Sequence, residues 1–154
     1  MPLPKTATIL VLLLLVLDQI SKWWARAYLT TTEVVDILPV LGLVLAYNTG
    51  AAFSFLAGEG GWQRWFFVSL AIGVSVYLVI WLRQEKSSLI RLALSLILSG
   101  AIGNVIDRIV MGKVTDFILL HYQNFYWPVF NVADMAISAG AAIMLWSSFQ
   151  SIKK

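Results

Sequence analysis

The sequence predicts an integral membrane protein, mainly α-helical, with four transmembrane helices and a small sheet on one membrane face. Three observations carry that prediction. Four apolar stretches, Ala7–Leu29, Trp62–Leu82, Leu89–Val110 and Trp127–Phe149, each reach the roughly 20 helical residues that a hydrocarbon layer requires. The 154 residues are 60% hydrophobic and only 12% charged, with mean hydropathy +0.83, too apolar for an ordinary soluble domain. Between the apolar stretches lie segments rich in β-branched and aromatic residues, too apolar for free loops.

Each element follows in chain order. The first stretch imitates a secretory signal, with Lys5, an apolar run to Leu17 and Ala25-Arg26-Ala27 as a small-x-small site. Asp18, Gln19, Lys22 and two tryptophans between run and site argue against cleavage, so this stretch is expected to remain as the first helix. Ile9–Leu17 is apolar nearly all round, as a lipid-facing helix must be. Residues 30–61 hold two strand-like runs, Glu33–Val40 and Gly42–Tyr47, and a turn at Asn48-Thr49-Gly50. Ala51–Leu56 reads equally as a further strand or a short interfacial helix. Spans two and three are joined by the short basic loop 83–88. Val114–Leu120 reads as another strand within the segment 111–126, and a fourth helix is expected from Trp127, with Pro128 near its start. No repeat, linker or low-complexity tract divides the chain, so residues 1–154 are read as one domain.

Charge sets the expected orientation. Arg83, Lys86, Lys5 and Lys153-Lys154 fall on one side, whereas Glu33, Asp36, Glu59 and Asp116 fall on the other with few basic residues, Arg64 and Lys113 the clearest. Both termini are therefore expected in the cytoplasm. Trp23, Trp24, Trp62, Trp65 and Trp127 mark the outer interface, and Trp81 and Trp146 the inner one. The net charge of +3 forms no basic stripe with interleaved aromatics, which argues against nucleic-acid binding. The chain has no cysteine and one histidine, so disulfides, thiol nucleophiles and a conventional zinc centre drop out.

The chemistry lies in polar residues set inside the apolar stretches: Asp18 and Lys22; Asn104, Asp107 and Arg108; Asn131 and Asp134. Ionisable groups in lipid are costly and point to function. At about 1.5 Å per residue, Asp134 lies roughly 10 Å inward from Trp127, and Asp18 roughly 8 Å inward from Trp23–Trp24. Three helices thus present polar groups at one shallow level. The plainer explanation is local neutralisation, Asp18 with Lys22 and Asp107 with Arg108, with Asn131 as a helix cap. Matched depth in three spans is harder to explain that way.

A Ser-His-Asp triad would need His121, which has no serine beside it. Ser21 and Lys22 point about 100° apart on a helix, so a Ser-Lys dyad fails too. Lys22 is left to snorkel toward headgroups or to pair with Asp18. A pair of carboxylates survives, sharing one proton and activating water for peptide hydrolysis. The candidates are Asp18, Asp107, Asp116 and Asp134; Asp18 has Lys22 one helical turn on and Asp107 is followed by Arg108, whereas the last two have no adjoining cation. A proton-coupled transporter or small channel is the rival, but it would continue polar residues toward the inner ends, where Leu92–Leu98 and Ala139–Leu145 are apolar apart from Ser95.

Five blocks in order, Asp18-Gln19-Ile20-Ser21-Lys22, Tyr47–Phe53, Gly103–Arg108, Val114-Thr115-Asp116-Phe117 and Phe130–Asp134, closely resemble lipoprotein signal peptidase, the bacterial signal peptidase II. Gly61–Trp65 looks like proteobacterial members, and Ser99 stands where the family often has glycine. The resemblance implies four transmembrane helices, a periplasmic β-cradle and a short interfacial helix. It implies an aspartic endopeptidase of the bacterial inner membrane, with its active site near the periplasmic face. Its substrate would be a diacylglyceryl-modified prolipoprotein, cut just before the lipidated cysteine. The implied catalytic pair is Asp116 and Asp134. Asp18, Lys22, Asn48, Gly50, Asn104, Asp107, Arg108 and Asn131 match positions that bind substrate or support the site. Of these, Asn48 and Arg108 are expected on substrate backbone or headgroup, and Asn104 and Asn131 behind the aspartates. No metal, cofactor or nucleic acid is implied; membrane lipid is the expected surrounding, and a monomer suffices. Gly50, Gly58, Gly60 and Gly61 offer hinges, and Ser99/Gly100/Gly103 with Ala136/Gly140 offer close helix contacts.

Overall fold

The computed structural model describes residues 3–50 and 61–152. Their order is α1 (Lys5–Tyr28), β1 (Val35–Leu38), β2 (Leu41–Asn48), α2 (Trp62–Gln84), α3 (Ser88–Met111), β3 (Val114–Tyr122), β4 (Phe125–Tyr126) and α4 (Val132–Ile152). All four helices are long and apolar enough to cross a membrane. The expected interfacial helix or strand at Ala51–Leu56, and the hinges at Gly58 and Gly60, lie outside the described residues.

Helix α3 is the hub and packs against α1, α2 and α4. Small residues set its distance from α4. A Cβ on Gly140 would stand 2.6 Å from both Ala93 O and Ile97 Cγ1, and one on Gly100 would collide with Ala133 O. Two helices approach this closely where one of them carries no side chain at the contact, so that its backbone lies against the other helix. Ser99 fits because its hydroxyl donates to Leu96 O of its own helix (2.8 Å). At the end of the bundle away from the sheet, Ala7, Leu78, Leu82, Leu94 and Leu98 form a closed apolar cluster. The α2–α3 turn is tied by Glu85, whose carboxylate accepts from the amides of Lys86 and Ser87 and from Trp81 Nε1.

The four strands form one antiparallel sheet in the order β1-β2-β3-β4. Asn48 Oδ1 accepts from Gly50 N (2.9 Å), which makes the expected turn at Asn48-Thr49-Gly50 an Asx-turn. One expectation fails. Helix α4 starts at Val132 rather than Trp127, and residues 125–130 are extended instead. Phe125 and Tyr126 pair with β3 as the short strand β4, Trp127 N donates to Leu120 O, and Phe130 bridges Ile118. The apolar run hid this break because its hydrophobicity serves a strand against β3 as well as a helix. The cap is nonetheless Asn131: its Oδ1 accepts from Asp134 N (3.0 Å), and Asp134 Oδ2 accepts from Asn131 N (3.3 Å), a reciprocal capping box.

Candidate active site

Strand β3 is the rail on which the site is assembled. One edge pairs with β2, and the other is bridged at Ile118 by Phe130, the residue before the α4 cap. That bridge carries the start of α4 alongside Asp116. Asp116 and Asp134 therefore line one cleft of about 810 Å³, together with Ala46, Asn48, Asn104 and Arg108 and an apolar arm that includes Leu120, Trp127 and Phe130.

Two asparagines hold the two aspartates. Asn131, fully buried, donates from Nδ2 to Asp116 Oδ1 at 2.6 Å, and Asn104 Nδ2 donates to Asp134 Oδ1 at 2.8 Å. The amide of Asn104 is oriented in turn by Lys22, whose Nζ donates to its Oδ1 at 2.9 Å. Burial pushes the Asp116 carboxyl up to about 7, with the charge of Asp134 adding to the rise and the Asn131 hydrogen bond, Lys22 and Arg108 opposing it.

The other two candidate aspartates are elsewhere. Asp18 and Asp107 flank the fully buried Lys22 at 2.9 and 3.3 Å, behind the asparagines and away from the cleft. Lys22 pairs and does not snorkel, and the expected partnership of Asp107 with Arg108 is replaced by one with Lys22. Arg108 instead turns to the cleft and donates to Gly50 O (2.7 Å). The carboxylates of the cluster also hold backbone: Ala133 N donates to Asp18 Oδ1, and Thr115 N to Asp107 Oδ2, the oxygen that also faces Lys22, each at 2.9 Å. One ion cluster on α1 and α3 thereby fixes the residue before Asp134 and the residue before Asp116. Ser21 donates to Asp18 O and has no part in a dyad, and His121 Nε2 lies 3.2 Å from Asp36 Oδ1 across the sheet.

Three contributors escaped the sequence reading: Gln19, which donates to Asp18 and Gly103 O; Thr115; and Arg26, which donates to Thr115 Oγ1 at 3.0 Å. A signal for Arg26 was present, since Asp18, Lys22 and Arg26 recur every four residues along one helix face. Thr115 had none beyond its place beside Asp116.

Known proteins share this architecture. The family model described as signal peptidase (SPase) II matches residues 10–150. A protein named lipoprotein signal peptidase from Hydrogenovibrio crunogenus is 53% identical over 146 residues, 94% of this chain and 85% of the relative. One of the same name from Pseudomonas aeruginosa is 50% identical over 145 residues, 92% of this chain and 86% of the relative. Among solved structures, a bacterial membrane enzyme determined by the in meso method superimposes with TM-score 0.87 at 25% identity, covering 96% of this chain and 89% of that one. A second has TM-score 0.81 at 26% identity, covering 92% and 91%. Matched over most of its length, and by relatives at about half identity, the chain belongs to the signal peptidase II family of proteases.

Proposed function

We propose that this protein cleaves the signal peptide from diacylglyceryl-modified prolipoproteins just before the lipidated cysteine, with Asp116 and Asp134 activating water. The name lipoprotein signal peptidase, carried by relatives at about 50% identity, supports the substrate class. The mechanism rests on one observation: two carboxylates line a single cleft, each held by an asparagine amide, and the proton of Asp116 is exchanged near neutral pH.

The chemistry follows from those positions. Asp134 takes a proton from water as its oxygen attacks the scissile carbonyl carbon, while protonated Asp116 gives its proton to the carbonyl oxygen. The resulting gem-diol returns a proton to Asp116 as the C–N bond breaks, and Asp134 protonates the departing amine. Asn104 and Asn131 keep both carboxylates aimed, and Arg108 and Asn48 face the substrate backbone or headgroup. The lipid moiety occupies the apolar arm at Leu120, Trp127 and Phe130.

The setting we propose is the bacterial inner membrane, with both termini cytoplasmic, the cleft near the periplasmic face, and residues 1–154 acting as one domain and one monomer among membrane lipids. The closed cluster of Leu78, Leu82, Leu94 and Leu98 supports this reading over a transporter, which needs polar groups to continue to the far helix ends. The test is cleavage of a diacylglyceryl-modified prolipoprotein in detergent with chelator present, by wild type, Asp116→Asn and Asp134→Asn. Folded variants are expected to lose at least about 10³-fold in kcat. Near-normal turnover by either would remove that residue from the pair.

A further inference from the structure

Arg108 is a cation that shares its cleft with two carboxylates and pairs with neither. It lines the cleft with Asp116 and Asp134, yet among the described residues it makes no ion pair. An arginine seated on either carboxylate would hold it ionised and oppose the proton exchange that hydrolysis needs. Neutral groups hold the guanidinium instead. Its Nη2 donates to Gly50 O (2.7 Å), its Nη1 to Asn104 O (3.5 Å), and its Cζ lies 5.3 Å from the centre of the Phe67 ring. The face of an aromatic ring attracts a cation at this range through its quadrupole and leaves the charge itself in place.

Phe67 stands on α2, which supplies none of the described residues that line the cleft. Three residues earlier on that helix, Arg64 Nη2 donates to the carbonyl of Ile109 (2.7 Å), the residue after Arg108. Residues three apart share a helix face, so Arg64 and Phe67 grip neighbouring residues of α3 from one side. The tie at Ile109 sets α2 against the end of α3, and the ring then meets the guanidinium.

We infer that Phe67 is a positioning residue: its ring face holds the Arg108 guanidinium toward the substrate and off the two catalytic carboxylates. This rests on the peptidase reading above, in which Arg108 meets the substrate backbone or headgroup. Helix α2 thereby enters the chemistry through one aromatic face, although it lines no part of the cleft. An aliphatic side chain at that place would fill the space between α2 and α3 but offer the guanidinium no negative face. Without it, Asp116 and Asp134 become the strongest attraction left to Arg108, and each excursion toward them takes it from the substrate.

The experiment places phenylalanines carrying one, two or three ring fluorines at position 67 of the full chain. Each fluorine weakens the negative ring face and scarcely alters its size. Cleavage of a diacylglyceryl-modified prolipoprotein is followed in detergent, and thermal stability is measured on every protein. With each fluorine kcat/KM is expected to fall, by about fivefold in all, at unchanged stability, and Phe67→Leu to lose about as much. The same series at Phe149, exposed near the C-terminal end of α4, is expected to leave kcat/KM unchanged. A flat series at Phe67, a fall that follows thermal stability, or an equal fall at Phe149 would overturn the positioning role and leave the peptidase reading intact. Absence of cleavage by wild type would overturn both.

Discussion

Asp116 and Asp134 differ from Asp18 and Asp107 by their nearest partners, which for the latter two include Lys22 at 2.9 and 3.3 Å. The buried Lys22 pairs with both Asp18 and Asp107, whose carboxylates also hold the amides of Ala133 and Thr115. Asp116 is buried nearly as deeply and, among the described residues, makes no ion pair with a lysine. Its carboxyl therefore rises from 3.8 to about 7, and in the assigned role it must be protonated. Below pH 7 that form dominates; as pH rises through 7 it is lost. The single-turnover rate is expected to fall about tenfold per unit on the alkaline side of 7. A rate that instead fell on acidification through 7 would make Asp116 the base and exchange the two roles. Proximity in the sequence named the partner of Asp18, which pairs with Lys22, and misnamed that of Asp107, because Arg108 sits beside it in the chain but points into the cleft.

At the scale of elements, glycines decide whether the site assembles at all. Gly103 leaves room for the Asp18 carboxylate, which a Cβ would approach to 2.6 Å, and Gly140 lets α4 lie on α3. Gly73 on α2 has nothing within 4 Å of its would-be Cβ. Gly103→Ala and Gly140→Leu are each expected to cost about 1–3 kcal/mol through forced shifts in a packed contact, seen as lower thermal stability in detergent. Activity should fall with it, as Asp18 and the α4 start move; Gly73→Ala should leave both unchanged. Stability of Gly140→Leu equal to wild type would mean that the α3–α4 contact is not close-packed. The spacing of small residues in α3 and α4 was legible in the sequence. Which glycine faces a helix and which faces a carboxylate was not, since that depends on the rotation of α3 between two partners. The late start of α4 was equally hidden, because Trp127–Phe130 is apolar in either conformation.

For the whole molecule, the sheet and the cleft belong to one end of the four-helix bundle and the apolar cluster to the other. The proposed orientation follows from the basic α2–α3 turn and is testable because the chain has no cysteine of its own. A single cysteine at Tyr126, exposed on β4, is expected to react with a membrane-impermeant maleimide in cells with a permeabilised outer membrane. One at exposed Ser87 should react only after the inner membrane is broken. The reverse pattern would invert the protein.

The amino-acid sequence by itself determined the class of molecule, the four spans, the level at which polar groups enter them and the family, because hydrophobic length, charge asymmetry and ordered motifs are properties of the chain alone. Only the tertiary structure decided which charges neutralise one another, where α4 begins, and that Arg108 lies over Phe67. Those outcomes depend on strand register and helix rotation, and a single-residue bulge or a turn of α3 changes them without altering any local pattern.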